Sequence, residues 1–476
     1  MFRQKPNSEN QQDMTGTPTP SRIDPRIWKV ALVVSIGSFM AQMDATLVNV
    51  SLSTIGRTLD APIAQTQWIV SGYLLAMALM LPLNGWLVDR VGARRLYLFG
   101  FATFTLASAL CGLAHDIAML IGARLFQGLV AGVLAPMAQM MIGRVGGKNM
   151  QRVMGYTTLP ILLGPILGPV LAGAILAHAS WPWLFFVNVP IGALGIALAA
   201  RMLPRDTAIT QARQFDHTGF ALISPGLVAL VYGLQSATDF EGIACIAAGI
   251  VLLAAFVKHA LNKGDSALID VRIFSVRLFR VAAFTQFFAN GMLFGRQLAV
   301  PLFLIAGCGL SAAQAGWLVA AIGIGMMGSF AVLGVLTDRF GCRPVASGGA
   351  LLALIGTLVF VWMSIHAYSP VWAALSLFVT GLGQGTISVP AIAAAYASLP
   401  KARMPVANTA LNIAQRIGGP FATTLVSIAL SSAASHTATA LPHHFLAAFL
   451  ALALLHLLCF VFTLYLPMRI VPAQPR

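Results

Sequence analysis

Four charged side chains stand within long apolar stretches of this chain, namely Asp44, Arg124, Arg296 and Arg416. Charges in such stretches are costly unless they pair or face water, and they often mark sites of ion or substrate movement. A carboxylate that alternates between an arginine partner and apolar surroundings changes its affinity for protons. An arginine that has no carboxylate partner can bind an anionic ligand through its paired N–H groups. The chemistry that these residues could support is therefore proton exchange and anion recognition.

Asp44 and Arg124 are predicted to lie at similar depths if their apolar stretches cross a membrane. Asp44 lies about 21 Å along its helix from the start of the first stretch, and Arg124 lies about 10 Å below the opposite surface. Because the apolar core of a bilayer is about 30 Å thick, the two side chains are nearly level. They either form a functional pair or a fixed bridge that only joins two helices.

Arg296 and Arg416 have no acidic residue within their own apolar stretches. If they face a cavity, an anionic or zwitterionic substrate becomes more credible than a cation. Arg296 could instead cap the carbonyls of a broken helix or reach toward the surface, and Arg416 stands beside glycines that permit close helix packing. Five further polar residues within the apolar stretches could either line a cavity or form hydrogen bonds between helices. They are Gln42, Thr46, Asn49, Gln127 and Asn290.

The elements that must position these residues are membrane-spanning helices. Of the 476 residues, 58% are hydrophobic and only 9% are charged, which excludes a water-soluble domain of ordinary composition. A helical span needs about 20 apolar residues. The sequence predicts fourteen spans, at residues 30–53, 67–88, 96–114, 117–141, 153–177, 183–203, 217–237, 242–262, 281–305, 314–336, 345–366, 370–393, 405–432 and 443–467.

The distribution of basic residues supports this count. The net charge is +15, which by itself could indicate either nucleic acid binding or basic loops at a membrane. Nearly all of the 29 Lys and Arg residues fall in loops and tails on one side of the predicted membrane, and Arg57 is the exception among the loops. The positive-inside rule then places both termini in the cytoplasm, and nucleic acid is not an expected partner.

Other classes of site are not indicated. The five cysteines are scattered singly without a metal-ligand spacing, so no metal site is expected. There is no GxxxxGK[ST] motif, so ATP is not the expected energy source, and nothing in the chain resembles an enzyme.

The chain contains an internal repeat. Residues 85–95 read GWLVDRVGARR after the second span, and residues 334–343 read GVLTDRFGCR after the tenth. Duplicated halves are common in transporters. We therefore predict a disordered cytoplasmic tail at 1–27, a six-helix bundle at 28–203, a linker with two extra spans at 204–265, and a second six-helix bundle with a short cytoplasmic tail at 266–476.

Further motifs give the chain a family resemblance. Residues 43–50 read MDATLVNV, residues 124–128 read RLFQG, residues 164–173 read GPILGPVLAG, and residues 181–192 read WPWLFFVNVPIG. Together they resemble the 14-span drug:proton antiporter branch of the major facilitator superfamily. Two positions depart from the branch pattern, where Ser53 replaces a usual proline and Ala172 replaces a glycine.

The resemblance implies a role for each motif. It implies that Asp44 and Arg124 couple transport to protons, and that residues 164–173 form an antiporter-motif helix at the interface of the two halves, with Gly164, Pro165, Gly168, Pro169 and Gly173. It also implies that the duplicated loops act as a conformational latch, formed by Gly85, Asp89, Arg90, Gly92, Arg94, Asp338 and Arg339. The ordinary alternative for Asp89 and Asp338 is a solvated charge at a helix end.

The resemblance implies a proton-coupled secondary antiporter that exports small amphiphilic compounds by alternating access. It would need no cofactor beyond a proton gradient, and its partners would be a small-molecule substrate, protons and the lipid bilayer. A monomer in the bacterial inner membrane is expected. The buried arginines leave open an exporter of an organic anion or metal chelate, and a membrane receptor or scaffold that does not transport is the alternative from another class.

Overall fold

The computed structural model describes residues 24–146, 150–206, 214–237, 239–434 and 442–468. Long apolar runs fold as helices in a bilayer because a helix satisfies its own backbone hydrogen bonds. In chain order the α-helices of the described residues are α1 (Pro25–Thr58), α2 (Ile63–Met80), α3 (Asn84–Val91), α4 (Ala93–Gly112), α5 (Ile117–Gly146), α6 (Met150–His178), α7 (Trp183–Phe186), α8 (Asn188–Met202), α9 (His217–Gln235), α10 (Phe240–Lys263), α11 (Arg277–Leu302), α12 (Ala312–Phe340), α13 (Cys342–Ile365), α14 (Pro370–Gly385), α15 (Ser388–Ala397), α16 (Met404–Ala434) and α17 (Leu446–Thr463).

The predicted class, an all-helical membrane protein, is confirmed. Twelve helical segments of the described residues are long and apolar enough to cross a membrane. Some of these segments join two helices, as where α2 continues through a 3-10 turn at Leu81–Leu83 into α3. The predicted spans at 153–177 and 405–432 fall on α6 and α16, which are long helices outside these twelve. The count of fourteen spans therefore stays a prediction.

The helices pack in two groups with a helix pair between them in the chain. In the first bundle (α1–α8), α1 packs against α5, α6 and α8, and α4 packs against α5 and α8. In the second bundle (α11–α17), α11 packs against α16 and α17, and α13 packs against α14 and α17. The linker helices α9 and α10 pack on each other. Helix α9 also contacts α2 of the first bundle and α16 of the second. The linker pair therefore packs against both bundles through α9.

A buried carboxylate ties the linker helices together. Asp216 caps α9 by accepting a hydrogen bond from the N–H of Gly219, and it also accepts from His259 and Lys263 on α10 and from the N–H of Leu268. Burial acts to raise the pKa of Asp216, but the hydrogen bonds, of which that from Lys263 is the strongest, outweigh it and lower the pKa to about 2. The carboxylate is therefore ionised at neutral pH and holds α9, α10 and the following segment in register.

The duplicated loops have the same backbone geometry. Gly92 and Gly341 have φ angles of 92° and 89°, a region that favours glycine, and each immediately precedes a helix, α4 or α13. In the first bundle the carboxylate of Asp206 accepts hydrogen bonds from the N–H groups of Arg94 and Arg95 at 2.9 and 3.2 Å. At the matching place in the second bundle the N–H of Cys342 donates to the carbonyl of Met468 at 2.9 Å.

The two bundles touch near the face at which α1 begins, which we call the tail face and which is the predicted cytoplasmic side. A Cβ atom placed on Gly85 would lie 3.5 Å from the backbone carbon of Pro405 on α16. The side-chain amide of Asn408 donates to the carbonyl of Pro136 across the bundles at 3.0 Å. Helices α6 and α12 also pack together. These contacts join the bundles at the tail face.

Candidate functional site

The centre of the first bundle contains a buried ion pair. Asp44 on α1 and Arg124 on α5 are 0% and 1% exposed, respectively, and Nη1 of Arg124 donates to Oδ2 of Asp44 at 2.7 Å. The structure thus brings together the two side chains that sequence reasoning placed at one depth. Because a buried charge is stable only when it is paired and hydrogen-bonded, each residue needs the other.

Two amides complete the surroundings of the Asp44 carboxylate. Asn188, the first residue of α8, donates from Nδ2 to Oδ1 of Asp44 at 2.8 Å. Gln127 donates to the same oxygen at 3.3 Å and accepts from Nη1 of Arg124 at 2.6 Å. The carboxylate therefore accepts hydrogen bonds from residues of two neighbouring helices. We call Asp44, Arg124, Gln127 and Asn188 the Asp44 cluster.

Helix α2 holds Arg124 from its other side. Nε of Arg124 donates to the carbonyl of Ile69 at 3.1 Å, and the guanidinium lies 4.2 Å from the ring centroid of Tyr73. A guanidinium over an aromatic face is stabilised by the ring's electrons, and more so when water is excluded. Arg124 is thus fixed by contacts to α1, α2 and its own helix.

Two participants in the site were missed from the sequence. Asn188 also donates to Oγ of Ser108 on α4 at 3.0 Å, and Ser108 donates to the carbonyl of Phe185 at 3.1 Å. The signal for Asn188 was its place in the motif at residues 181–192, where α7 ends and α8 begins. Ser108 has no such signal, because a serine in an apolar helix commonly bonds to its own backbone.

A cavity of about 570 Å³ lies between the bundles and the linker. Its walls come from α1, α2, α5, α6, α9, α11, α15 and α16. Arg416 is the only charged side chain among the described residues that line it. The uncharged polar lining consists of Ser38, Gln42, Gln139, Thr157, Gln235, Asn290, Asn412, Gln415 and Thr423. A cavity with one arginine, many amides and apolar walls suits an amphiphilic ligand that carries hydrogen-bond acceptors.

Only some of the residues predicted to line a cavity lie in the described lining. Gln42, Asn290 and Arg416 do line it. Gln127 belongs to the Asp44 cluster. The described lining does not include Thr46, Asn49 or Arg296. Thr46 donates to the carbonyl of Gln42 on its own helix at 2.6 Å, Asn49 is exposed, and Arg296 is buried within the second bundle.

Helix α2 connects the cavity to the Asp44 cluster. Arg416 donates from Nη2 to the sulfur of Met77, which lies one helical turn beyond Tyr73 on α2. The Tyr73 ring contacts the guanidinium of Arg124. Tyr73 also interacts electrostatically with Asp44 and Arg416. Helix α2 therefore contacts both Arg416 and Arg124.

The antiporter-motif residues all lie on α6. Gly168 allows α6 to approach α1, since a Cβ atom on Gly168 would lie 2.6 Å from Cβ of Thr46. Gly173 has open space around its Cα. Gly164, Pro165 and Pro169 lie in the same helix, and their side-chain surroundings are outside the described part of the structure.

The residues predicted to form a latch lie at the tail face. Asp89 and Arg90 are in the last turns of α3, with Arg90 over the Trp86 ring, and Gly92 and Arg94 are at the start of α4. Asp338 and Arg339 are in the last turn of α12, where Arg339 lies over the Phe340 ring at 5.3 Å. Gly85 packs across the bundles against Pro405.

Comparison with known proteins gives consistent results. The sequence profile described as Major Facilitator Superfamily matches residues 34–423 and 281–476. The chain is 33% identical to "Multidrug resistance protein B homolog" of Mycobacterium tuberculosis over 427 residues, which cover 88% of this chain and 79% of that protein. It is 30% identical to "Putative multidrug resistance protein MdtD" of Escherichia coli over 382 residues, which cover 78% of each chain.

Solved structures show the same fold at low sequence identity. The human organic anion transporter MFSD10 (TETRAN) superposes with a TM-score of 0.66 at 15% identity, covering 92% of this chain and 100% of that one. The proton:xylose symporter XylE superposes with a TM-score of 0.64 at 15% identity, covering 91% and 94% of the two chains. At this identity the likeness concerns the fold alone.

Proposed function

Because the chain belongs to the Major Facilitator Superfamily and is therefore a membrane transporter and not an enzyme, we propose that it is a proton-coupled antiporter that exports small amphiphilic compounds. Support for the substrate class comes from the two relatives named as multidrug resistance proteins, at 33% and 30% identity. Support for proton coupling comes from the Asp44 cluster, and this single observation carries the proposal.

The Asp44 cluster has the properties that a proton carrier needs. Protonation of the Asp44 carboxylate would remove the negative charge that balances Arg124. Proton binding and the ion pair therefore compete, and a motion that separates α1 from α5 favours the protonated carboxyl. Substrate in the cavity would influence this competition through Arg416, Met77 and the α2 helix.

The rest of the mechanism is rocking of the two bundles around the cavity. We propose that the duplicated loops are the latch, since Gly85 packs against Pro405 of the other bundle at the tail face. Helix α6 packs on α1 at Gly168 and Thr46 and also on α12 of the second bundle, which supports its proposed role as the antiporter-motif helix at the interface of the two halves. No cofactor is required, because the proton gradient supplies the energy.

The location and assembly follow from the same proposal. We place both termini in the cytoplasm, because the basic loops lie on one side. The bacterial relatives support a place in the bacterial inner membrane, and we propose that the chain is a monomer there. Its partners are then the transported compound, protons and the surrounding lipid.

Purified protein in liposomes tests the proposal. With a pH gradient imposed across the membrane, a fluorescent amphiphilic dye should move against its concentration gradient, and adding dye without a gradient should release protons. Absence of both dye movement and proton release would overturn the proposal and leave a receptor or scaffold as the interpretation.

A second candidate function, export of an organic anion or an anionic chelate, is favoured by Arg416. It lines the cavity, and the described lining contains no carboxylate to neutralise it. An anionic substrate would supply that charge and form bidentate hydrogen bonds to the guanidinium.

Replacing the charge distinguishes the two substrate classes. Arg416→Gln should weaken binding of fluorescein, an anion, about tenfold or more, and should change binding of the related cation rhodamine 6G little, because one charge-assisted contact contributes about 1.5–3 kcal/mol. Fluorescence titration of purified protein measures both. Gln139→Ala, at an uncharged lining position, should affect the two dyes equally. Equal losses in Arg416→Gln would exclude preferential binding of anions.

A further inference from the structure

The second bundle contains a buried cation that no carboxylate of that bundle can neutralise. Arg296 on α11 is 4% exposed, and its Nη1 and Nη2 atoms have no hydrogen-bond partner among the described residues. Within residues 277–468 the sequence contains one carboxylate, Asp338, which lies in the last turn of α12 at the tail face. Arg296 is about 28 Å along α11 from that face. Asp338 is therefore too far away to pair with Arg296.

The position of Arg296 corresponds to that of Asp44 in the first bundle. Asp44 is the twentieth residue of α1 (Pro25–Thr58), and Arg296 is the twentieth residue of α11 (Arg277–Leu302). Ser108 and Thr357 are each the sixteenth residue of the corresponding helices α4 and α13. The duplication has thus produced a site of opposite charge at the same place. In the first bundle Arg124 supplies the counter-charge, whereas the described residues of the second bundle supply none.

A histidine on α17 interacts electrostatically with Arg296 and contacts Thr357, as Asn188 contacts Ser108 in the first bundle. His456 on α17 is 0% exposed and lies within electrostatic range of Arg296, and its Nδ1 is 3.5 Å from Oγ1 of Thr357. Nδ1 also donates to the carbonyl of Leu452 at 2.8 Å, and Nε2 has no partner among the described residues. A neutral imidazole can offer Arg296 an acceptor at Nε2 but no negative charge. The counter-charge must therefore come from outside the second bundle.

We propose that Arg296 binds a small inorganic anion of the halide class, next to His456 and Thr357 inside the second bundle. A full charge in an apolar interior is costly without a counter-charge, so a mobile anion stabilises the folded bundle. The surroundings restrict its size, because Met292, Val300 and Leu452, each one turn from Arg296 or His456, are buried hydrophobic side chains. This ion is separate from the transported compound, since Arg296 is not among the residues that line the cavity.

Thermal unfolding of the purified full-length chain tests the site with chloride as the probe. In sodium chloride the Tm should be about 1–3 °C higher than in sodium gluconate of equal concentration, and the shift should saturate with chloride, because an anion that binds only the folded state raises its stability. Arg296→Gln should lose this chloride-specific shift. In gluconate the Tm of Arg296→Gln should equal or exceed that of the wild type, since an unpaired buried charge has been removed. Arg416→Gln, which removes the cavity arginine instead, should keep the shift.

Radioactive chloride binding to the same proteins provides a second measurement that does not depend on the stability of one variant. Wild type and Arg416→Gln should retain the isotope, and unlabelled bromide should displace it. The proposal is overturned if the wild-type Tm is the same in both salts, if Arg296→Gln keeps the chloride response, or if Arg416→Gln alone loses it. Neither measurement involves transport, so failure here leaves the antiport proposal untouched, and failure of antiport leaves this site untouched.

Discussion

The buried carboxylate of Asp44 is surrounded by hydrogen-bond donors of neighbouring helices. It is 0% exposed, and its two oxygens accept hydrogen bonds from Arg124, Asn188 and Gln127. Each donor comes from a helix other than α1. Any movement of α5 or α8 relative to α1 therefore changes the number of hydrogen bonds to the carboxylate, and with it the balance between the ionised and protonated forms.

Asn188 is expected to be a stabilising member of the Asp44 cluster. In Asn188→Ala, Oδ1 of Asp44 loses its shortest donor and Oγ of Ser108 loses the donor at 3.0 Å. We expect the free energy of unfolding to fall by about 1–3 kcal/mol, the usual cost of leaving a buried polar group unsatisfied. Denaturation in detergent measures it. Asn49→Ala, at an exposed amide on α1, is the control and should change stability little. Equal effects of the two variants would show that Asn188 does not stabilise Asp44.

The sequence alone predicts the charged residues of this site but not the uncharged residues that hydrogen-bond to them. Asp44 and Arg124 stand out because a charge in an apolar stretch is rare, and helix geometry is enough to place them at one depth. Asn188 and Ser108 carry no charge, and polar residues of this kind occur in many membrane helices. Arg296 and Arg416 look alike in the sequence, yet Arg416 lines the cavity and Arg296 does not. A single sequence does not tell which way a helix is rotated when most of its positions are apolar.

At the scale of elements, helix ends and linkers are held by buried polar contacts. Asp206 caps α4, and Asp216 caps α9 while binding Lys263 and His259 on α10. Hydropathy and the internal repeat together predict the two extra helices as an inserted pair. Their packing was not predictable, because α9 is apolar around much of its surface, and only the structure shows that it contacts both α2 and α16.

Asp216→Asn should loosen this linker in a pH-dependent way. The carboxylate has a pKa of about 2 in the folded chain, below its ordinary value of 3.8. A lowered pKa means that its contribution to stability is fully present above about pH 4 and is lost as the pH falls toward 2. At pH 7 we expect the variant to be less stable by about 1–3 kcal/mol.

Unfolding curves of both proteins between pH 7 and pH 3 measure this difference, which should narrow toward the acid end. Glu241→Gln, at an exposed position in the first turn of α10, is the control and should follow the wild type at every pH. A difference between Asp216→Asn and wild type that does not change with pH would contradict the account of the linker.

The two bundles enclose a cavity and differ in the charge that they bury. The repeat of residues 85–95 and 334–343 predicts the duplication, and Gly92 and Gly341 have matching φ angles at the corresponding position of the two repeats. The first bundle buries a balanced pair, and the second buries an arginine. Alternating access requires a state in which the bundles touch on one side of a cavity that lies between them. The contacts at the tail face and the cavity fit such a state.

We propose that Asp44 carries the proton that drives export, and transport by reconstituted Asp44→Asn measures whether it does. The asparagine resembles a permanently protonated side chain but leaves Arg124 buried without a charged partner, which can cost about 3–5 kcal/mol. The double variant Asp44→Asn with Arg124→Gln restores the charge balance and guards against a failure to fold. Asp60→Asn, at an exposed carboxylate with a φ of 48° that asparagine tolerates, is the matched control.

Each variant is placed in liposomes with a pH difference as the only driving force, and the accumulation of a fluorescent dye is measured beside equilibrium binding of the same dye. We predict that Asp44→Asn and the double variant bind the dye within about threefold of the wild type yet do not concentrate it, while Asp60→Asn behaves as the wild type. If Asp44→Asn still concentrates the dye against its gradient with a pH difference alone, Asp44 is not the proton carrier and its pair with Arg124 is a fixed bridge.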